Sequence, residues 1–392
     1  MNLDCNSPNP TIDANTLLAI REMYEGAKSR VRYRGLFSEE LPVVQGTRQG
    51  GKSSPILYLI YINDLINELQ KSNNGLCLYY INMSAPTFAD DMVLVSFSKT
   101  GMDNMLQICS NYSKRWRFLY NSSKCAVVVF NKSGVLVQSV KPSFSLGHDL
   151  VPTQKKYTHL GIICNETLSV QECVQEACTK LRGSYLNICS SGINPDTVSA
   201  KTLRTYYQSV ILPRALYGCE LWTNISKNEI QRLEVAHRFC VKQMQGFQRS
   251  VATKFVLSTL NITSIEVLID CKKLQFFGQM CRLPCQYLAK IIFNSRLIRY
   301  INFDRQTVGF VPDIYRLCQK YLLVDYITQY INTGQFPSKY EWKKTIHKSV
   351  TDNIIVHLLL YCHAKEEYRN SLWDTIYEQC NLRVEFTLLG YY

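Results

Sequence analysis

The chain is predicted to be an α+β protein, with helices beside a mostly antiparallel, polymerase palm-like sheet and then an all-helical thumb and C-terminal region. Three observations predict the α+β class. Up to residue 165, helical periodicities alternate with short runs of strand-formers. Turn signals such as Asn73-Asn74-Gly75 and Gly147-His148-Asp149 join those runs. Beyond residue 165 the apolar spacing becomes helical, and two S/T-x-x-E patterns mark helix starts.

In order, residues 1–12 are a polar, Pro-containing lead. Asp13 or Asn15 then caps a helix whose buried face is Leu17, Leu18, Ile20, Met23 and Tyr24, ending near Gly26. In 29–35, Arg30, Arg32 and Arg34 alternate with apolar or aromatic residues, which puts the arginines on one strand face. That face either contacts phosphates or guards an exposed edge by charge. The stretch Gln45-Gly46-Thr47-Arg48-Gln49-Gly50-Gly51-Lys52-Ser53-Ser54-Pro55 is a loop that can approach a phosphate or sugar closely. Its spacing is not G-x-x-x-x-G-K-[ST], which excludes a P-loop. Ser54-Pro55 opens a helix, with Pro in the first turn. Ile56 to Leu69 make that helix apolar nearly all round, so it is expected in a core.

A strand over 76–81 leads into Pro86-Thr87-Phe88-Ala89-Asp90-Asp91-Met92. Strands over 87–89 and 92–97 are expected, with the Asp pair at the turn between them. Two carboxylates at a hairpin tip suit a hard divalent cation such as Mg²⁺; an acidic, solvated turn is the other reading. A helix from about 101 to 120 buries Met102, Met105, Leu106, Cys109, Tyr112 and Trp116. A loop at 121–124, a strand over 125–130, a hairpin over 144–151 and a strand over 155–163 follow. Helices are expected over 169–188 and 196–212, with Pro213 interrupting the pattern. Ser226-Lys227-Asn228-Glu229 and Thr263-Ser264-Ile265-Glu266 are capping boxes. Residues 314–331 are helical in period, and 335–339 form a loop.

With 392 residues, the chain has room for two or three domains. Its formal charge of +13 favours a polyanionic partner, nucleic acid first and anionic membrane second. Between residues 169 and 260, 11 Lys and Arg face 6 Asp and Glu, interleaved with Tyr206, Tyr207, Tyr217, Trp222 and Phe239. That mixture suits nucleic-acid contact, although aromatics at helical spacing also build cores. The 16 Cys are scattered, without the paired C-x-x-C of a zinc site, and behave as small hydrophobes. No signal peptide or membrane-length apolar run occurs, so an intracellular setting, nucleus or cytoplasm, is expected. A metal phosphohydrolase would need further His or acidic ligands nearby, and the His are scattered.

Several stretches together resemble the reverse transcriptase domain of non-LTR (LINE-type) retrotransposons. They are Gln45-Gly46-Thr47-Arg48-Gln49-Gly50, Ser54-Pro55-Ile56-Leu57, Tyr61-Ile62-Asn63-Asp64-Leu65 and Phe88-Ala89-Asp90-Asp91. Trp116 with Asn121-Ser122-Ser123-Lys124 is similar to the family's fourth motif, and Tyr157-Thr158-His159-Leu160-Gly161 to its primer-grip motif. Leu212-Pro213-Arg214-Ala215-Leu216-Tyr217-Gly218-Cys219-Glu220-Leu221-Trp222 and Leu274-Gln275-Phe276-Phe277-Gly278 resemble the thumb and following region. The resemblance covers roughly residues 15 to 285.

The resemblance implies an RNA-directed DNA polymerase that takes an RNA template, a DNA primer and deoxynucleoside triphosphates, with two Mg²⁺. Asp90 would hold catalytic Mg²⁺, and Asp91 would support the site or touch the metal. Phe88 would sit beside the primer end. Arg48, Gln49 and Gly50 would line the pocket for nucleotide and template. Lys124 would lie near the pyrophosphate as a general acid, and Leu160 and Gly161 would position the primer. The implied organisation is fingers and palm over 1–165, thumb over 166–285 and a helical region of unassigned role over 286–392. Two departures stand out. The family's other metal-binding Asp motif, ahead of the Gly-rich loop, has no counterpart near Asp4 or Asp13, so an N-terminally truncated polymerase of little or no activity is expected. Lys52 also stands where a small or apolar residue would be less surprising. The alternative is a non-enzymatic RNA- or DNA-binding remnant.

Overall fold

Asp13 sets the start of the first helix. Its carboxylate accepts the Thr16 N–H at 2.9 Å, and α1 (Ala14–Tyr24) follows. The expected buried face does not form: α1 buries none of its residues, and Leu17, Leu18 and Met23 remain exposed. The computed structural model describes residues 13–43, 46–47, 50–78, 80–130, 142–303 and 308–361, so the polar lead lies outside it.

The arginine-rich strand is a hairpin instead. β1 (Lys28–Ser29) pairs with β4 (Leu41–Pro42), and β2 (Arg32–Tyr33) with β3 (Leu36–Phe37). Arg34 at φ 48° and Gly35 at φ 85° make the connecting turn. Positive φ at both central residues matches the twist of the flanking strands. Arg34 therefore leaves the face expected to carry all three arginines.

Helix α2 (Ser54–Lys71) opens on Pro55, as expected. It buries one stripe, Ile62, Leu65 and Leu69, whereas Ile56 and Ile60 near its start are exposed. The stripe packs on α3 (Lys99–Trp116), around Met105, Cys109 and Tyr112. Between the helices lie two short antiparallel pairs. β5 (Cys77–Leu78) pairs with β6 (Ile81–Asn82), and β7 (Thr87–Phe88) with β8 (Asp91–Met92). Val93 N–H to Pro86 O (3.0 Å) and Val95 N–H to Ser84 O (2.9 Å) carry the second pairing onward. The Ser98 side chain caps α3 by accepting the Gly101 N–H at 3.0 Å. This helix ends at Arg117, φ 56°, short of the expected Tyr120.

A 3₁₀ turn (Ser122–Lys124) follows. The expected strand over 125–130 is reduced to one bridge, Val127 to Thr153. β9 (Phe144–Leu146) and β10 (Asp149–Val151) form the expected hairpin. These elements make one compact unit, Met1–Val127 with Gln138–Thr153.

The second unit is Val128–Val137 with Gln154–Tyr392. β11 (Lys156–His159) and β12 (Ile162–Asn165) form its hairpin, turning at Leu160 (φ 48°) and Gly161 (φ 77°). The rest of the described unit is helical: α4 (Gln171–Ser190), α5 (Ala200–Tyr206), a π turn (Tyr207–Ile211) and α6 (Leu212–Ala215). Pro213 does not interrupt the run. It lacks an N–H and would crowd the carbonyl of Ser209, and the wider π turn just before it relieves that conflict.

Helix α7 (Lys227–Met244) carries the expected capping box. Ser226 Oγ accepts the Glu229 N–H at 3.2 Å, and the Glu229 carboxylate accepts the Ser226 N–H at 2.7 Å. Ser226→Ala should cost about 1 kcal/mol, read as a lower denaturation midpoint. After α8 (Thr253–Thr259) comes α9 (Ile265–Arg282), whose expected box is not built. The Glu234 carboxylate of α7 accepts the Glu266 N–H at 3.1 Å instead, so a long-range cap replaces the local one. Then come α10 (Leu288–Asn302), α11 (Phe310–Lys320), α12 (Val324–Thr333) and α13 (Lys339–Tyr361). The periodic run 314–331 breaks between α11 and α12, where Leu322 takes φ 56°.

Helix α9 joins two cores. Its Ile265 and Ile269 pack with Leu181, Leu203, Leu233 and Cys240. Its Leu274 and Phe277 pack with Phe293, Ile314, Ile327 and Trp342. Trp342 lies flat enough on α9 for its indole N–H to donate to Leu274 O at 2.8 Å. Buried charges here are paired: Lys273 meets Asp313 at 3.0 Å, and Asp270 accepts from Lys320 and the Tyr321 hydroxyl at 2.8 Å each.

His237 is fully enclosed in the first of these cores. A carbonyl only accepts, so Nε2–H donates to Thr263 O at 3.0 Å, and Nδ1 accepts from the Tyr207 hydroxyl at 2.7 Å. Burial pushes the ring's pKa down to about 4. The folded state thus binds fewer protons than the unfolded one between pH 6.5 and 4. Stability from this site is complete above 6.5 and is lost as pH falls toward 4, on the order of 3 kcal/mol in all. Glu234 and Asp270, both raised by burial, act in the opposite sense, losing stability as pH rises through their pKa values. Chemical denaturation at pH 7.5 and 5 should show a smaller acid loss in His237→Gln than in the parent chain.

Among the described residues, no helix is long and apolar enough to cross a membrane.

Candidate active site

The β7–β8 tip is where the sequence expects chemistry. Thr87 pairs with Met92 and Phe88 with Asp91, which leaves Ala89 and Asp90 as a two-residue turn. The pair is therefore split: Asp90 lies in the turn, and Asp91 begins the returning strand. Ala89 takes φ 51°, a left-handed conformation that costs a non-glycine residue about 1 kcal/mol. Both aspartates are exposed, and neither enters an ion pair among the described residues. Phe88, across from Asp91, is 66% exposed.

The sequence reading missed Tyr58. Its ring packs in the α2–α3 core with Met92 and Leu94, the strand that returns from the tip. Burial raises its pKa first, and the charges of Asp90, Tyr61 and Asp91 raise it further. The phenol therefore keeps its proton beside the two carboxylates. The available signal was its i, i+3 spacing to Tyr61, which puts both rings on one face of α2.

The same core holds the segment that carries Lys124. Tyr112 donates its hydroxyl to Tyr61 O at 2.6 Å, and Tyr61 donates to Trp116 O at 3.0 Å. Phe118 and Tyr120 pack on the cluster that seats Met92. Tyr120 is held protonated by burial and by Cys109. Lys124 follows in the 3₁₀ turn, where its N–H donates to Asn121 O at 3.0 Å. The Asp tip and the Lys124 turn are thus anchored to one set of side chains.

Gly50 takes φ 79° just ahead of α2, with open space where a side chain would project. Arg48 and Gln49 lie outside the described residues. Leu160 and Gly161 form the β11–β12 turn in the second unit, as the positive φ values require.

Mg²⁺ is bound through one or two carboxylates, and water and substrate phosphates complete its shell. Two exposed, adjacent carboxylates fit that requirement. Among the described residues no group of three or more His, Cys, Asp or Glu side chains is placed to hold a metal ion.

Residues 6–164 match the family of the reverse transcriptase (RNA-dependent DNA polymerase). The chain is similar to the probable RNA-directed DNA polymerase from transposon X-element of Drosophila melanogaster, at 23% identity over 74% of this chain and 32% of that protein. It is also similar to the retrovirus-related Pol polyprotein from the type-2 retrotransposable element R2DM of the same species, at 28% identity over 36% of this chain and 14% of the relative. A third relative is the retrovirus-related Pol polyprotein from the type-1 retrotransposable element R2 of Popillia japonica, at 25% identity over 47% of this chain and 30% of the relative. The chain spans about a third or less of the length of these relatives. The family match and the relatives agree in identifying residues 6–164 as a reverse transcriptase domain of the non-LTR retrotransposon type.

Proposed function

We propose that the chain serves RNA-directed DNA synthesis, in which a primer 3′ hydroxyl attacks the α-phosphate of a deoxynucleoside triphosphate in line. The observation that carries this reading is the Asp90–Asp91 tip beside the protonated Tyr58, within the stretch that matches the family. Bound Mg²⁺ would supply charge neutralisation at the attacking and leaving oxygens. Asp90 holds it and Asp91 supports the site. Phe88 stands beside the primer end. Gly50, with Arg48 and Gln49, lines the place of nucleotide and template. Lys124 delivers a proton to the pyrophosphate, and Leu160 and Gly161 set the primer. In this reading residues 1–165 act as fingers and palm, 166–285 as thumb, and 286–392 as an added helical region.

Two-metal displacement needs ligands on both ions, and the described residues gather only this pair. Extension of a DNA primer on an RNA template by this chain alone should therefore be weak. Robust Mg²⁺-dependent extension would overturn that expectation of weakness. Metal-independent synthesis would overturn the site itself.

A non-enzymatic nucleic-acid-binding role is the second reading, favoured by the +13 charge and by the groove between α4 and α7. Arg182 and Arg232 line that groove and form no ion pair among the described residues. Steeply salt-dependent RNA or DNA binding without extension would support it. Salt-insensitive binding would not.

A further inference from the structure

The β11–β12 turn is clamped by a segment to which no role has been given. After α6 the chain passes through Leu216-Tyr217-Gly218 into a 3₁₀ turn (Cys219–Leu221) and Trp222. Leu216, Cys219 and Trp222 are buried in the helical core, so this segment has a rigid base. Gly218 takes φ 73° and comes so close to β12 that a Cβ there would meet Ile162 Cγ1 at 3.1 Å. Tyr217 between them stays 58% exposed. Its hydroxyl donates to Leu160 O at 3.2 Å. Its ring lies against Gly161, where a Cβ would meet Cε1 at 3.2 Å.

The turn is thus held at three successive residues, Leu160, Gly161 and Ile162, by two neighbours, Tyr217 and Gly218. An exposed tyrosine gains little from burial, so packing of the core does not account for this one. The turn also needs holding. Leu160 adopts φ 48°, which a side-chain-bearing residue adopts at a cost, yet its own side chain is 39% exposed. A hydrogen bond to the Leu160 carbonyl fixes that peptide, and with it the direction of the side chain.

We propose that Tyr217 is a positioning residue for the primer: it fixes the Leu160–Gly161 turn so that Leu160 meets the 3′-terminal nucleotide in a single orientation. This rests on the reading of that turn as the primer-contacting element.

The test uses the full chain and an RNA template annealed to a DNA primer. One primer carries 2-aminopurine at the 3′-terminal position and another carries it internally. Fluorescence of the terminal probe reports seating of the primer end, and anisotropy reports overall affinity. Tyr217→Phe keeps the ring and loses one hydrogen bond, so terminal seating should weaken about threefold. Tyr217→Ala and Leu160→Ala should each weaken it about tenfold, and the double variant should be no worse than either alone, because both act through one turn. Gly161→Ala, which collides with the Tyr217 ring, should resemble Tyr217→Ala. The internal probe and overall affinity should stay within about twofold in every variant. Terminal effects that multiply in the double variant would overturn the inference, since Tyr217 would then contact nucleic acid independently. An effect of Leu160→Ala without one of Tyr217→Ala would overturn it while leaving the primer reading intact. No terminal effect of Leu160→Ala would remove the primer reading and the inference with it.

Discussion

Asp90→Asn should abolish primer extension and weaken divalent-cation binding together. The substitution keeps size and hydrogen-bonding capacity at the β7–β8 turn, so the hairpin should survive. What it removes is one of two negative charges offered to the cation. Transition-state charge stabilisation by a bound metal is worth several kcal/mol, so a rate loss of about 10³-fold is expected. Because the parent rate is itself expected to be low, a second readout matters. Mn²⁺ titrated in the presence of a deoxynucleoside triphosphate and followed by electron paramagnetic resonance should bind at least about tenfold more weakly to Asp90→Asn. Lys124→Ala should leave that affinity unchanged, since a lysine is not a ligand. Equal Mn²⁺ affinity in Asp90→Asn and the parent would remove the tip from the metal site.

Gly278→Ala should be the most destabilising small substitution in the second unit. Alanine normally improves a helix by about 1 kcal/mol over glycine, so the default sign is stabilising. Here a Cβ at 278 would lie 2.3 Å from Cδ1 and 2.5 Å from Nε1 of Trp342. The indole cannot slide away cheaply. Its N–H is bonded to Leu274 O, and its ring meets Phe277, Phe336 and Tyr326 edge-on. Displacing a buried tryptophan costs about as much as truncating one, 3–5 kcal/mol, so a net loss of about 2–4 kcal/mol follows. The check is the urea midpoint of the full chain, with Trp342 fluorescence as the probe. A midpoint equal to or above that of the parent would show that the indole has another seat.

These two positions also show how unevenly sequence reports structure. The Asp tip is visible because a hairpin needs only local signals, and β7, β8 and the turn lie within six residues. The Ser226 box is legible for the same reason. Failures begin where a distant partner decides. Nothing near Thr263 says that Glu234 will cap α9 in place of the local box. Nothing in α1 says that its apolar stripe finds no neighbour among the described residues. Three alternating arginines look like a strand face until Arg34-Gly35 is read as a turn. Tyr58 was hidden in a run so apolar that a polar tip among the hydrophobes did not stand out. Gly278 was noticed only as part of a resemblance, and its physical reason, the Trp342 ring, lies 64 residues away in the chain.

The π turn at Tyr207–Ile211 carries a consequence for insertions and deletions. A π turn holds one residue more than the α-helical register has room for. Removing a single residue from it would restore regular geometry, and a helix length comparison would count that as an improvement. Each residue, however, advances the helix by about 100°. The deletion would spare the helix but rotate everything downstream of it, carrying Tyr217 away from the Leu160 carbonyl. The surplus residue is a phase-setting spacer, and its number matters more than its identity.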